Sequence, residues 1–275
     1  MKSKIFLAWS RRIVVTLLCL TFATVANAAD EATLTKEQIK HFLLTAKIVG
    51  GKQTEKGVTH PWRLTLSDGT ITHDASFQSI DEHQTNFQFA NRDTEINFVD
   101  SYKYNIGAYA LAELLGLDDI LPVYVERSWK GNSGSLSWWL PVHMDEAERR
   151  KEQIYAPDTE AWNKQMYRVR VFDQLVYDKD ANLTNVLIGP NWEIWRIDFT
   201  RAFRLSKDLK APAELVRCDR QLLEKLKALD ANELASHTKH YLNKDEVKAV
   251  MARRDKIVAH FQQLIADKGE DQVLY

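Results

Sequence analysis

The chain has 275 residues, 45% of them hydrophobic and 27% charged, with a formal net charge of −1. That length is enough for one large or two-lobed domain. The near balance of 37 basic and 38 acidic side chains offers no basic excess for a nucleic-acid partner, and two cysteines exclude a scaffold stapled by several disulfides.

The N-terminus carries Lys2, Lys4, Arg11 and Arg12 ahead of an apolar run, Ile13 to Val25, and then Ala26-Asn27-Ala28. A basic front, a short apolar stretch and a small-x-small triplet predict a secretory signal peptide over residues 1–28, cleaved after Ala28. The apolar run is shorter than a spanning helix requires, so no stable membrane span is expected after cleavage and the product is expected to be exported, periplasmic or secreted. Cleavage removes four basic residues and takes the net charge to about −5. Only Cys218 remains, so the exported chain has no internal disulfide and depends on its core.

Thr35 to Thr45 reads as a helix with Ile39, Phe42 and Leu43 on one face, and "AKIVGG" as a strand entering the polar loop "GGKQTEKGVTHP". Two alternating segments flank Asp68-Gly69, a hairpin pattern. Asp81 to Asn97 is polar throughout and predicts a mobile insert. Ile106, Tyr109, Ala110, Leu114 and Leu117 recur with a helical period, ending near Gly116. "ILPVYVER" and "GSLSWWLPV" read as strands joined by "SWKGNSG". Beyond them Asp145 to Ile154 and Asp158 to Leu175 are helical, "NVLIG" and "WEIWRIDF" are short strands, and everything past Pro212 is helical. There Asp230 with Glu233, and Asn243 with Glu246, have capping-box spacing.

This order predicts a two-lobed α+β architecture. Residues 29–142 form a sheet-rich N-terminal lobe with one helix, and residues 143–275 a mainly helical C-terminal lobe. The chemistry is expected in "YDKDANLTNVLIGPNWEIWRIDF", Tyr177 to Phe199. Asn185 follows Asp180 by five residues and Asp198 follows by thirteen more. Phosphoryl transfer asks a protein for positioning and charge: a carboxylate at the attacking hydroxyl, and a few oxygen ligands for magnesium, which keeps several waters. Asp180, Asn185 and Asp198 supply those groups. The alternative is that Asp178, Asp180 and Asn182 solvate a turn and Asp198 ends a strand.

The segments "FDQLVYDKDANLTNVLI" and "WEIWRIDFTRAF", preceded by "NIGAYALAELLGLDDILPVYVER" and "GSLSWWLPV", resemble the HipA-like and phosphatidylinositol-kinase-like branch of the protein-kinase-like fold across most of Ala46 to Phe203. The resemblance implies an interlobe cleft for ATP with Mg2+ or Mn2+, Asp180 as catalytic base and Asn185 and Asp198 as metal ligands. It makes Trp138 to Val142 the hinge, with Trp139 and Leu140 facing the nucleotide. The family lysine that pairs the phosphates is replaced by Gln78, its partner glutamate by Asn105, and a basic residue after the catalytic aspartate by Ala181. Replacing both members of an ion pair by amides leaves neither charge buried alone. Gly50, Gly51 and Gly57 either let backbone N–H groups approach phosphates or are turn glycines. Lys52, Lys56 and Lys103 either reach the phosphates or are solvated.

Other candidates are weaker. His60, His73, His83 and His143 have no metal-ligand spacing, and "GNSGS" is not followed by the helix a nucleophile elbow needs. Cys218, between Arg217 and Arg220, is either a thiol of lowered pKa or a helical packing residue. Trp129, Trp138, Trp139, Trp192 and Trp195 serve either as core and hinge wall or as a sugar platform. The sequence thus predicts a phosphotransferase acting on an unidentified hydroxyl of a protein, lipid or glycan. The rivals are a pseudokinase-like nucleotide-binding module and an envelope protein-binding module. Export sharpens that choice, because nucleotide is scarce outside a bacterial inner membrane.

Overall fold

The computed structural model describes residues 34–54 and 61–275. The expected signal peptide and its cleavage site, and Lys56, Gly57 and His60, lie outside the described residues. Thr35–Tyr275 forms one compact unit.

Helix α1 (Lys36–Thr45) begins at a complete capping box in which Thr35 and Gln38 satisfy each other's backbone N–H groups. Strand β1 (Lys47–Gln53) then runs on through Gly50 and Gly51, where a loop was expected from composition. It is the edge of the five-stranded antiparallel order β1-β2-β3-β7-β6, with β2 at Trp62–Ser67, β3 at Thr72–Gln78, β6 at Tyr124–Trp129 and β7 at Asn132–Trp138. The strand begins where "AKIVGG" predicts it; its exposed second half has no apolar alternation to announce it, so that half reads like a loop. The Asp68-Gly69 hairpin forms as expected, closed by Asp68 N–H to the Ile71 carbonyl at 3.2 Å. The β6–β7 turn has two residues, Lys130 (φ 50°) and Gly131 (φ 83°), the left-handed pair that matches strand twist.

The register divides the sheet into unlike faces. Leu64, Ala75, Phe77 and Leu136 pair across strands on one face and are buried. Helix α1 covers that face, with Phe42 edge-on to Trp138 at 5.7 Å and Arg127 donating to the carbonyls of Leu43 and Ala46 at its C-terminus. The opposite face is polar. Arg63, Thr65, Asp74, Ser76 and Gln78 lie there with Ser135 and Ser137, and helix α2 (Lys103–Leu115) lies against its far end. The N-terminal portion thus carries two helices on opposite sides of the sheet.

Asp81 to Asn97, expected to be a mobile insert, belongs to a regular hairpin of β4 (Asp81–Gln88) and β5 (Thr94–Ser101). Glu95 fastens it. Its carboxylate is 6% exposed and pairs with Arg201 at 2.5 Å, Arg204 at 2.8 Å and Lys179 at 3.4 Å. Those partners lie 80 or more residues away, outside any local pattern.

A second small sheet, order β10-β9-β8, is built from β8 (Met144–Asp145), β9 (Val186–Ile188) and β10 (Ile194–Arg196). Helices α3 (Glu146–Lys151), α4 (Thr159–Val176), α5 (Arg220–Ala228), α6 (Ala231–His237), α7 (Lys244–Lys268) and α8 (Glu270–Val273) complete the C-terminal portion. Asn243 and Glu246 close their capping box; Asp230 caps α6 through the N–H groups of Asn232 and Glu233. The apolar face of α7 also holds a fully buried Arg253, which donates to the carbonyls of Leu175, Arg204 and Ser206. Cys218 is not helical. It bridges to Leu274 as extended chain, and burial pushes its thiol up to about 12, which removes the reactive-thiolate reading. Among the described residues no helix is long and apolar enough to cross a membrane.

Glu146, 1% exposed, opens α3 and accepts from Arg149 at 2.6 Å and Arg150 at 2.7 Å. Burial alone would raise its pKa, but the two arginines override it and hold the carboxyl below its usual 4.5. A carboxylate with a depressed folded pKa contributes stability above the unfolded value and loses it as pH falls through the folded one. Glu146→Gln is therefore expected to cost about 1–2 kcal/mol at neutral pH. Urea midpoints against pH should show that deficit constant from pH 7 to 5 and shrinking below pH 4.5.

Candidate functional site

Two loops and the polar face of the sheet converge at one place. After α4, Tyr177 turns left-handed (φ 49°) and the chain enters the Asp178–Asn185 loop. Asp178 is fully buried; its Oδ1 accepts the Asp180 N–H at 3.0 Å, and its Oδ2 accepts from the buried guanidinium of Arg196. Arg196 also donates to Asp173 at 3.0 Å. A triad of buried Arg196 and Asp178 with part-buried Asp173 thus sets the height of the loop and leaves the Asp180 side chain exposed.

Asn185 is 8% exposed, and its Nδ2 donates to the Asp180 carbonyl at 3.3 Å. Its own carbonyl accepts the Ile197 N–H at 3.0 Å, which brings the loop alongside the residue before Asp198. Asp198 is left-handed, φ 60°, a conformation that aspartate tolerates better than most residues. Its Oδ1 accepts from Thr200 at 3.2 Å. Burial first, then the nearby Asp178, raises the pKa of Asp198. Asp180, Asn185 and Asp198 therefore lie close to one another, with Asp100 near both acids.

Asp100, at the end of β5, was not anticipated. Burial chiefly raises its pKa; Asp180 adds to the effect, and Asp100 in turn acts on Asp198. One of its carboxylate oxygens is buried without a hydrogen-bond partner among the described residues. Several acids placed so close, one of them unpartnered, favour a cation among them. Among the described residues no three His, Cys, Asp or Glu side chains form a ready-made metal cage.

Gln78 and Asn105 meet directly. Asn105 Nδ2 donates to Gln78 Oε1 at 2.6 Å and to Ser135 Oγ at 3.1 Å, while Asn105 Oδ1 accepts the Phe199 N–H at 2.7 Å. Asn105 thus ties β3, β7 and the residue after Asp198 to α2, and it is fully buried. Ser135 escaped the sequence reading, although its place two residues inside an alternating strand puts it on the face of Ser137. Gly134 permits this closeness, because a Cβ there would lie 2.7 Å from the Phe77 ring.

The remaining predicted residues are dispersed. Gly50 lies opposite Thr65 on the polar face, whereas Gly51 lies opposite Leu64 on the core face, where a Cβ would approach the Leu64 side chain to 2.7 Å. Only Gly50 shares the polar face with Gln78. In the segment expected to be the hinge, Trp139 N–H donates to the Asp74 carbonyl at 3.1 Å and its carbonyl lies 3.0 Å from His73 Nε2, so its main chain is occupied. Its ring lies 4.3 Å from the Arg63 guanidinium. Leu140 is part-buried beside it, and His143 N–H reaches the Ile188 carbonyl of the second sheet at 2.8 Å. Lys103 pairs with Asp81 at 2.7 Å and Lys52 is exposed on β1. Trp129 packs against Trp62 and Phe77, and Trp138 stacks on His73 at 3.5 Å.

No family model and no curated protein matches the sequence. Solved structures do match the fold. The structure of hydra Fam20 with sugar superposes with a TM-score of 0.62 at 14% identity, over 87% of this chain and 91% of that one. The Golgi casein kinase with Mn/ADP bound gives 0.60 at 14% identity, over 87% and 78%. The Helicobacter pylori proinflammatory kinase CtkA gives 0.50 at 10% identity, over 82% and 98%. The chain has the protein-kinase-like fold, with a mixed α+β architecture.

Proposed function

We propose that this chain binds a divalent-metal nucleotide between the polar sheet face and the Asp180–Asp198 corner and transfers its terminal phosphoryl group to a hydroxyl. The observation that carries this reading is the closeness of Asp180, Asn185 and Asp198 to one another and to Asp100, which has a buried carboxylate oxygen without a partner among the described residues. The two residues that stand in the family's ion-pair positions are bonded to each other, and the same link holds the backbone beside Asp198. Relatedness to the HipA-like and phosphatidylinositol-kinase-like branch is part of the proposal, resting on the order of the segments around Asp180. The bound Mn/ADP belongs to the Golgi casein kinase, and supports the reading here by analogy of fold.

Asn185 and Asp198 would hold the metal, with Asp100 close by. When bound, the ion neutralises charge on the phosphate oxygens. Asp180 accepts the acceptor hydroxyl's proton as that oxygen bonds the terminal phosphorus. The bond from phosphorus to the bridging oxygen breaks, and the nucleoside diphosphate leaves with that electron pair. The sheet face and the Trp138–Val142 hinge orient the nucleotide, and the triad keeps Asp180 at the right height.

A second reading is binding without turnover, favoured by the neutral Gln78–Asn105 pair, since a missing cation weakens a phosphate clamp. Thermal shift with ATP and with ATP plus MgCl2 or MnCl2 tests the common part. The expected result is a metal-dependent rise in melting temperature that disappears in Asp198→Asn. No rise with any nucleotide would leave a kinase-like scaffold whose partner is a protein or glycan.

A further inference from the structure

The β4–β5 hairpin is a two-stranded unit outside both larger sheets, and most of β4 is exposed. A two-stranded hairpin has little stability of its own in water, and this one is fastened by the buried Glu95. Three cations from two separate segments meet its carboxylate. Lys179 directly precedes Asp180, and Arg201 and Arg204 follow Asp198 by three and six residues. The Arg201 guanidinium also lies 4.2 Å from the Phe98 ring, which stacks on Phe87 at 4.0 Å. The backbones are joined as well. Lys179 N–H donates to the Arg201 carbonyl at 3.3 Å, and Ser101 N–H, at the end of β5, donates to the Thr200 carbonyl at 2.9 Å. Arg204 donates to the Asn97 carbonyl in β5.

We infer that Glu95 is a positioning residue for the proposed reaction: its carboxylate ties the Asp180 loop to the segment after Asp198, and the β4–β5 hairpin is the arm that carries it there. This rests on the functional reading above, in which Asp180 is the base and Asp198 a metal ligand. Without Glu95, Lys179, Arg201 and Arg204 are three like charges around one point, and their repulsion pushes the two segments apart. Arg201 and Arg204 are part-buried, so salt and water screen them less than surface charges. With Glu95 in place each cation is drawn to the same carboxylate, and a repulsive cluster becomes a tie. Asp198, left-handed at φ 60°, is then held from both sides. The Asn185 carbonyl holds Ile197 before it, and the hairpin holds Thr200, Arg201 and Arg204 after it.

The tie predicts a coupling that a mere hairpin anchor does not produce. Amide hydrogen exchange of the full chain should be compared between the wild type, Glu95→Gln, which removes the charge at constant shape, and Glu95→Asp, which keeps the charge one methylene further back. In Glu95→Gln, peptides spanning 178–185 and 199–206 are expected to lose protection together with 81–101, while β2, β3 and α7 keep theirs. Glu95→Asp should fall between the other two, and it carries the same comparison if Glu95→Gln does not fold. Loss confined to 81–101 overturns the inference, because Glu95 would then fasten only the hairpin. A Glu95→Asp variant as loose as Glu95→Gln overturns it too, because side-chain packing and not charge would make the contact. Turnover, read as ATP hydrolysis, is expected to fall about tenfold to a hundredfold in kcat in Glu95→Gln, with KM for ATP within about threefold, since a misplaced base slows the step without removing the ligand's contacts. Unchanged kcat overturns the positioning role. A wild type with neither turnover nor metal-dependent nucleotide binding overturns the functional reading instead, and the exchange pattern still decides whether Glu95 ties the two segments.

Discussion

Asp180→Asn is expected to reduce phosphoryl transfer, read as ATP hydrolysis or autophosphorylation, by about 10²- to 10⁴-fold, while leaving the MnADP-induced thermal shift within about 1 °C of wild type. The division follows from what holds Asp180. Its backbone N–H is anchored by Asp178 at 3.0 Å and its carbonyl by Asn182 and Asn185 at 3.1 and 3.3 Å. The side chain takes only a 3.3 Å contact from Asn182 Nδ2. The loop is therefore shaped by main-chain bonds that asparagine keeps, and the substitution removes only proton acceptance. Asp198→Asn should do the opposite and remove the metal-dependent part of binding. If Asp180→Asn abolished the thermal shift as strongly as Asp198→Asn, Asp180 would be a binding residue and its assignment as base would fail. If turnover were unchanged, the site would lie elsewhere.

Legibility from sequence followed the range of the forces involved. Local rules reached the Asp68-Gly69 hairpin, the α4 start and the α7 capping box, because turn chemistry and caps act within four residues. The spacing of Asp180, Asn185 and Asp198 was visible too, since a short hairpin brings its own ends together. The replacements at Gln78 and Asn105 could be located only through a resemblance to a known family, and the resulting contact spans 27 residues. What local patterning could not show were bonds whose partners lie far along the chain. Glu95 reads as one more charge in a polar segment, yet its arginine and lysine partners turn that segment into an anchored hairpin. Edge strand β1 was read as far as its glycines, but its continuation to Gln53 was missed for a different reason: those residues are exposed and carry no alternation. Arg196 could have been found. It sits two residues after Ile194 in a strand of period two, so it points to the same buried side. A charge on that side requires a partner.

That buried charge gives the largest stability effect expected. Arg196 is 0% exposed and stands between Asp173 and Asp178, its guanidinium 4.9 Å from the Phe199 ring. Arg196→Met fills similar space but leaves two carboxylates without their cation. Removing one partner of a buried ion pair costs about 3–5 kcal/mol, several times what a surface pair contributes. Even with Arg196 present, burial pushes Asp173 up to about 6, against 3.8 in the unfolded chain. Without Arg196 both acids shift further upward. A carboxylate whose folded pKa exceeds its unfolded one binds protons preferentially in the fold, so its contribution to stability falls as pH rises between the two values. The Arg196→Met deficit should therefore be largest at pH 7–8 and shrink as pH drops toward 5, in chemical denaturation followed by tryptophan fluorescence. Adding Asp173→Asn and Asp178→Asn should recover stability at pH 8. Turnover should remain impaired, because a neutral amide at 178 holds the Asp180 N–H less tightly than a carboxylate does. A single variant that loses less than about 1 kcal/mol at pH 8 would show that the triad does not brace the catalytic loop, and the height of Asp180 would need another support.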